Sequence, residues 1–306
     1  MVDSNTSREI DGVNGVALPA QRPPEVAVDV VTDDATPIAA RFFMPATSPR
    51  GAVFVVGAMG VPQTYYAAFA GWLADEGYCV ATFDFRGTYA SKRGPMRDVD
   101  ADILTWAEQD TQAVLRALRA RAPGAPITWI GHSLGGQIVP FVNDRDGVEK
   151  IITVGTGSGY WRENSAPLRK KVWLLWWLMV PIATPLFGYF PGKRLGMVGD
   201  LPRGVIRQWR KWCLDPEYAV GDGDAVRAQF ASVKTPIVSF SFTDDEMMSE
   251  RNTASLHGFY TGAPRTMRRI APTEIGVARI GHFGFFRSPM KASLWEGWML
   301  RELATR

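Results

Sequence analysis

The chain has 306 residues, 34 of them basic and 31 acidic, a length that suits one large α/β domain with room for an insertion. The near balance of charge, with no basic block and no acidic tail, excludes nucleic acid as an expected partner and an acidic disordered segment as an expected feature. Cys79 and Cys213 have no metal-ligand spacing and do not suggest a disulfide framework, which predicts a reducing, cytoplasmic setting.

The first 24 residues open with the polar "MVDSNTSREIDGVNG", lack the apolar core of a secretory signal, and are expected to form a flexible arm. From residue 25 the pattern alternates. "EVAVDVVT" and "PIAARFFMPA" read as two strands joined by the turn-forming "DDAT". "GAVFVVGA" is a continuous apolar run, as expected of a strand buried on both faces. "YYAAFAGWLADEG" has helical spacing and stops at Gly77. The strand "YCVATFDF" follows, then the long amphipathic helix "DADILTWAEQDTQAVLRALRAR", then the strand "ITWIG" with a helix starting near Leu134, then the strand "KIITVGTG". The alternation breaks over 158–232 and resumes with the strand "TPIVSFSF", a helix through "RNTASLHGFY", the strand "RTMRRI" and the helix "KASLWEGWMLRELA". The prediction is a mostly parallel central sheet of about eight strands flanked by helices. The core spans 25–157 and 233–306, and a helical tryptophan-rich cap over 158–232 precedes the strand that carries the acid. Ligands of such sheets bind at the strand carboxyl ends, where Gly57, Ser133 and Gly155 fall.

"GHSLG" at 131–135 matches the G-x-S-x-G elbow and lies between a strand and a helix, the context the elbow requires. An ordinary tight turn is the plainer reading of five such residues; the surrounding strand order favours an exposed nucleophile at Ser133. A serine hydroxyl needs a base, and the chain has three histidines. His132 adjoins the serine and should point away from it, and His257 lies within a helix. His282, in the glycine-flanked "RIGHFGFFR", is the base. A carboxylate must then fix its tautomer, and "SFTDDEMMS" offers Asp244 and Asp245. Asp245 is favoured because Met247 and Met248 follow it, and Asp244 stays open as the alternative. The oxyanion requires N–H donors. Leu134 supplies one, and the "GAMG" loop supplies the other through Ala58 or, close behind, Met59.

These segments together resemble the α/β-hydrolase superfamily, and especially its lipase, esterase and serine-aminopeptidase-like branch, from about residue 25 onward. "GAMG", "GSGYWR", "DLPRG" and "IGHFGFFR" resemble a bacterial group within it. The resemblance implies the fold and a Ser-Asp-His triad, and says little of the substrate. Two positions depart from the usual pattern: Val56 stands where a histidine commonly precedes the first oxyanion glycine, and Tyr89 replaces the second glycine of D-x-R-G-x-G-x-S.

The segment from Val172 to Phe190 carries no charge. A membrane span is rejected because Pro181 and Pro185 interrupt it and because a span would part Ser133 from the acid and base. Three readings of this cap remain: packing on the sheet edge; a pocket for a hydrophobic acyl group lined by Trp173, Trp176, Trp177 and Met248; and peripheral contact with a membrane, with Arg169, Lys170 and Lys171 near the headgroups.

The expected function is a serine hydrolase that cleaves an ester or related acyl bond of a small hydrophobic substrate through an acyl-enzyme, with no metal or organic cofactor. An acyltransferase or cyclase with the same triad and a non-catalytic ligand-binding protein are the rivals. An aminopeptidase would need an acidic anchor in the cap, and the sequence identifies none.

Overall fold

The computed structural model describes residues 25–197 and 199–305; the expected N-terminal arm lies outside the described residues. Eight strands form one sheet in the order β1-β2-β4-β3-β5-β6-β7-β8. In chain order they are β1 (Glu25–Val31), β2 (Pro37–Phe43), β3 (Gly51–Val56), β4 (Tyr78–Phe83), β5 (Ile127–His132), β6 (Val148–Val154), β7 (Ile237–Phe242) and β8 (Arg265–Ile270). β1 and β2 form an antiparallel hairpin and β2 runs antiparallel to β4, while the remaining pairs are parallel. The reversal of order around β3 opens a crevice beyond the ends of β3 and β5.

The central strands are apolar throughout because both faces are covered. On β3, Ala52, Phe54 and Val56 enter one core, which also holds Trp129 and Trp106. Val53 and Val55 enter the other, with Phe69, Phe285 and Trp295. Phe54 meets the edge of Trp129 with ring centroids 5.1 Å apart. Fully burying a side chain of this size stabilises the fold by about 1.5–3 kcal/mol.

The helix over 103–121 is capped by Asp102, whose carboxylate accepts from the Thr105 N–H at 2.7 Å. It contains a wider π-helical turn, Trp106–Thr111, which carries Asp110. Asp110 binds the Arg86 guanidinium at 2.6 Å and its backbone N–H at 2.8 Å, fixing the loop after β4.

One expectation changes. The helix after the elbow is a single turn, Leu134–Gln137, followed by a 3-10 turn at Val139–Phe141; Pro140 cannot donate to a continued helix. Asp224–Ser232, at the end of the segment read as cap, sets its one buried side chain, Phe230, against Phe141 and Tyr260. His257 is buried, its Nδ1–H donating to the Thr253 carbonyl at 2.7 Å and its Nε2 accepting from the Thr153 hydroxyl at 2.9 Å. Burial pushes its pKa down to about 4. The described helices include none long and apolar enough to cross a membrane.

Candidate active site

Ser133 follows β5 directly and has φ 50° and ψ −111°, a left-handed backbone that L-residues rarely adopt. Two neighbours explain how the turn is held. A Cβ on Gly131 would sit 2.5 Å from the Gly135 carbonyl oxygen, and one on Gly135 would collide with the Val56 carbonyl. Only glycine lets β5 and the following turn approach the end of β3 this closely. The Ser133 N–H donates to the Val154 carbonyl at 3.0 Å, and the Trp129 indole N–H donates to the Gly135 carbonyl at 2.9 Å.

His282 Nδ1–H donates to Asp245 Oδ2 at 2.9 Å, and both side chains are almost wholly buried. The other oxygen of Asp245 accepts the N–H groups of Met247 at 2.7 Å and Met248 at 2.8 Å. Three donors therefore satisfy this carboxylate, and the bond to Nδ1 leaves the His282 Nε2 lone pair free. Asp244 turns the other way, accepting the backbone N–H groups of Ile280 at 2.8 Å and Gly281 at 3.1 Å. It ties the histidine loop to the end of β7 without touching the imidazole. Glu246 accepts the His282 N–H at 3.1 Å and pairs with Arg279 at 3.1 Å.

Ser133, Leu134, His282, Ala58, Met59 and Met248 line one cavity of about 30 Å³, joined by Gln137, Trp209, Met247 and Phe283. Within the described residues the Ser133 hydroxyl has no hydrogen-bond partner, and the N–H groups of Met59 and Leu134 make no protein hydrogen bond. The N–H of Ala58, the favoured donor from sequence, is taken: it donates to the Tyr66 phenol at 2.8 Å. That corrects the expected order: of the two loop residues that line the cavity, Met59 is the one with a free amide.

Tyr66 belongs to a buried chain of groups behind the site. Its hydroxyl donates to His132 Nδ1 at 2.8 Å, and His132 Nε2–H donates to the His282 carbonyl at 3.1 Å. A carbonyl can only accept, so the proton sits on Nε2 and the ring is neutral. Burial agrees, pushing the His132 pKa down to about 3.

The cap lies above. Its first helix, over 166–187, follows Ser165, whose hydroxyl donates to the Asp245 carbonyl at 2.7 Å. A second cavity of about 80 Å³, lined almost wholly by apolar groups, shares Trp209, Met247 and Met248 with the first. Trp176 lines it and meets the edge of Trp209 at 5.1 Å. Trp173 and Trp177 do not line it. They are 52% and 47% exposed on the outer face of the same helix, so their reading as pocket residues is corrected: a side chain one position from Trp176, or three, points about 100° or 60° around the helix from it.

Comparison with known proteins bears on this architecture. A family model described as serine aminopeptidase, S33, matches residues 47–186. No curated protein matches the chain in sequence. A thermostable carboxyl esterase from Bacillus coagulans superposes with a TM-score of 0.57 at 16% identity, over 81% of this chain and 90% of that one. The esterase domain of a Rhodothermus marinus protein gives 0.56 at 16% identity, over 92% and 98%. A soluble variant of monoglyceride lipase from Saccharomyces cerevisiae gives 0.58 at 16% identity, over 81% and 85%. The chain has the α/β-hydrolase fold.

Within this hydrolase fold, two groups beside the site escape a reading of sequence alone. Tyr66 lies eight residues past Ala58, at the end of a 3-10 turn that no motif marks. Gln137 lines the first cavity, donates to the Gly157 carbonyl at 2.8 Å and accepts from the Tyr218 hydroxyl at 2.7 Å. Tyr89, at the position of the missing glycine, donates its hydroxyl to the Gly60 carbonyl and holds the loop that carries Met59. It does so from a left-handed φ of 37°, where glycine is the usual residue.

Proposed function

We propose that this chain is a serine hydrolase that cleaves esters of short, hydrophobic acyl groups through an acyl-enzyme. The observation that carries the reading is the buried Asp245–His282 hydrogen bond beside a strained, unpartnered Ser133, in a cavity that also holds two unpaired backbone N–H groups. Oγ of Ser133 attacks the acyl carbonyl as its proton passes to His282 Nε2. Asp245 keeps Nδ1–H in place and stabilises the imidazolium. The new oxyanion accepts from the N–H groups of Leu134 and Met59. The C–O bond to the leaving group then breaks, and the imidazolium returns its proton to the departing alkoxide. Water, deprotonated by the same imidazole, attacks the acyl-enzyme and releases the acid and the free Ser133 hydroxyl.

The cap cavity supports the substrate class. Its lining is apolar and small, which suits an acyl chain of a few carbons. Neither cavity has an aspartate or glutamate in its lining, and an aminopeptidase would need one to anchor the substrate ammonium. The test is a series of p-nitrophenyl esters of increasing acyl length. The reading expects kcat/KM to climb about fourfold per added methylene, the worth of about 0.8 kcal/mol of burial, and to fall once the cavity is full. Ser133→Ala should abolish turnover at every length. A flat series, or turnover retained in Ser133→Ala, would contradict it.

A further inference from the structure

The cap helix over 166–187 is apolar on two faces, and the fold uses only one. Its inner face buries Val172, Leu175, Trp176 and Val180 against the core. Its outer face presents Trp173, Leu174, Trp177, Leu178, Ile182 and Leu186 to solvent, with Leu186 73% and Ile182 58% exposed. Their spacing follows the helical repeat, so they form one continuous ridge about three turns long. Six large apolar side chains in one exposed stripe exceed what scattered surface residues require.

The charges around the ridge state what covers it. Between Glu163 and Asp200 there is no acidic residue, and five basic ones stand at the two ends of the ridge. Arg169, Lys170 and Lys171 occupy the turn before it and are exposed. Lys193 and Arg194 follow it, also exposed, with the Arg194 guanidinium 5.5 Å from the Phe187 ring centre. An apolar stripe with cations at its ends matches an acyl layer bounded by phosphate headgroups. Tryptophans at such a boundary have an apolar body and an N–H for the wet side. The inner face is committed to the core, so the helix lies along a bilayer and does not cross it.

We propose that the cap helix docks this protein on the surface of an anionic lipid bilayer, with the ridge in the acyl boundary and the flanking cations against phosphate. The cavity that Trp176 lines lies directly beneath the docked helix. Docking is a property of the outer face and does not depend on the chemistry proposed for Ser133.

The test is co-sedimentation of the full chain with vesicles of phosphatidylcholine alone and of phosphatidylcholine with phosphatidylglycerol in equal parts. Binding should be at least about tenfold stronger on the mixed vesicles, because each basic residue near an anionic surface contributes severalfold. Arg169→Gln/Lys170→Gln/Lys171→Gln should remove most of that preference. Ile182→Glu/Leu186→Glu should weaken binding to both vesicles by more than about tenfold, with unchanged circular dichroism, since both positions are exposed. Tryptophan emission should shift to the blue on binding, and Trp173→Ala/Trp177→Ala should lose that shift. Ser133→Ala should bind as the parent does. Failure to sediment with either vesicle at millimolar lipid would overturn the proposal, as would equal binding by the glutamate variant. A dimer that Ile182→Glu dissociates, with no vesicle binding, would assign the ridge to a second copy of this chain and overturn it too.

Discussion

Asp244 and Asp245 are neighbours in sequence and serve opposite ends of one loop: Asp245 binds the imidazole of His282, and Asp244 binds the backbone N–H groups of Ile280 and Gly281 that deliver it. Successive side chains at a strand end diverge, so one carboxylate reaches the ring while the other reaches the chain.

The two should separate kinetically. Asp245→Asn keeps the size but favours the wrong imidazole tautomer, with a loss on the order of 10⁴ in kcat. Asp244→Asn has one carbonyl acceptor for two backbone donors. It should cost about 1–3 kcal/mol of stability and lower kcat on the order of tenfold through a looser histidine loop. Esterase assays with urea unfolding of both variants decide the matter, and a reversal of the two effects would exchange their roles.

Tyr66→Phe removes one oxygen that serves two groups, the Ala58 N–H and His132 Nδ1. Both are buried, so the variant should lose about 1–3 kcal/mol in denaturant unfolding. Because Ala58 adjoins Met59, kcat should fall while KM changes little. A KM change alone would place Tyr66 in substrate binding.

Trp176 and Trp177 are adjacent and should behave differently. Trp176→Ala enlarges the cap cavity, so the acyl-length optimum should move to longer chains. Trp177→Ala changes the outer face and should leave the optimum where it was. The ester series run on both variants reads this out, and an equal shift in both would remove Trp176 from the pocket.

His132 and His257 predict how stability depends on pH. Burial holds their native pKa values near 3 and 4, against about 6.5 in the unfolded chain. Between those limits the unfolded state binds more protons, so stability falls as pH drops below about 6.5. The loss is on the order of 2 kcal/mol per histidine at pH 5. Above pH 7 both are neutral in both states and the effect vanishes. Urea unfolding at pH 7.5 and 5.0 should show a change between the two values that is less destabilising on acidification in His257→Gln than in the parent, by on the order of 2 kcal/mol. The same pH dependence in parent and variant would contradict the buried neutral assignment.

The fold was legible because apolar runs such as "GAVFVVGA" and "YCVATFDF" can be strands only if both faces are covered, and alternation with helices then dictates parallel pairing. The grouping of Ser133, Asp245 and His282 could be read because three histidines left few choices and a strand end presents one carboxylate at a time. What stayed hidden depends on contacts remote in sequence. Nothing near Ala58 announces that a phenol eight residues on takes its N–H. The uncharged run after Lys171 could not show which tryptophan turns inward, since Trp173, Trp176 and Trp177 differ only in the direction the core imposes. Pro140 was the available sign that the elbow helix would be short.

The most direct test is reaction of the native protein with a fluorophosphonate, followed by peptide mass mapping of the adduct. The account predicts one phosphonyl group, on Ser133, formed fast in the parent, slowed on the order of 10³-fold or more in His282→Ala, and absent in Ser133→Ala. An adduct on another serine, or no adduct on the folded parent protein, would contradict it.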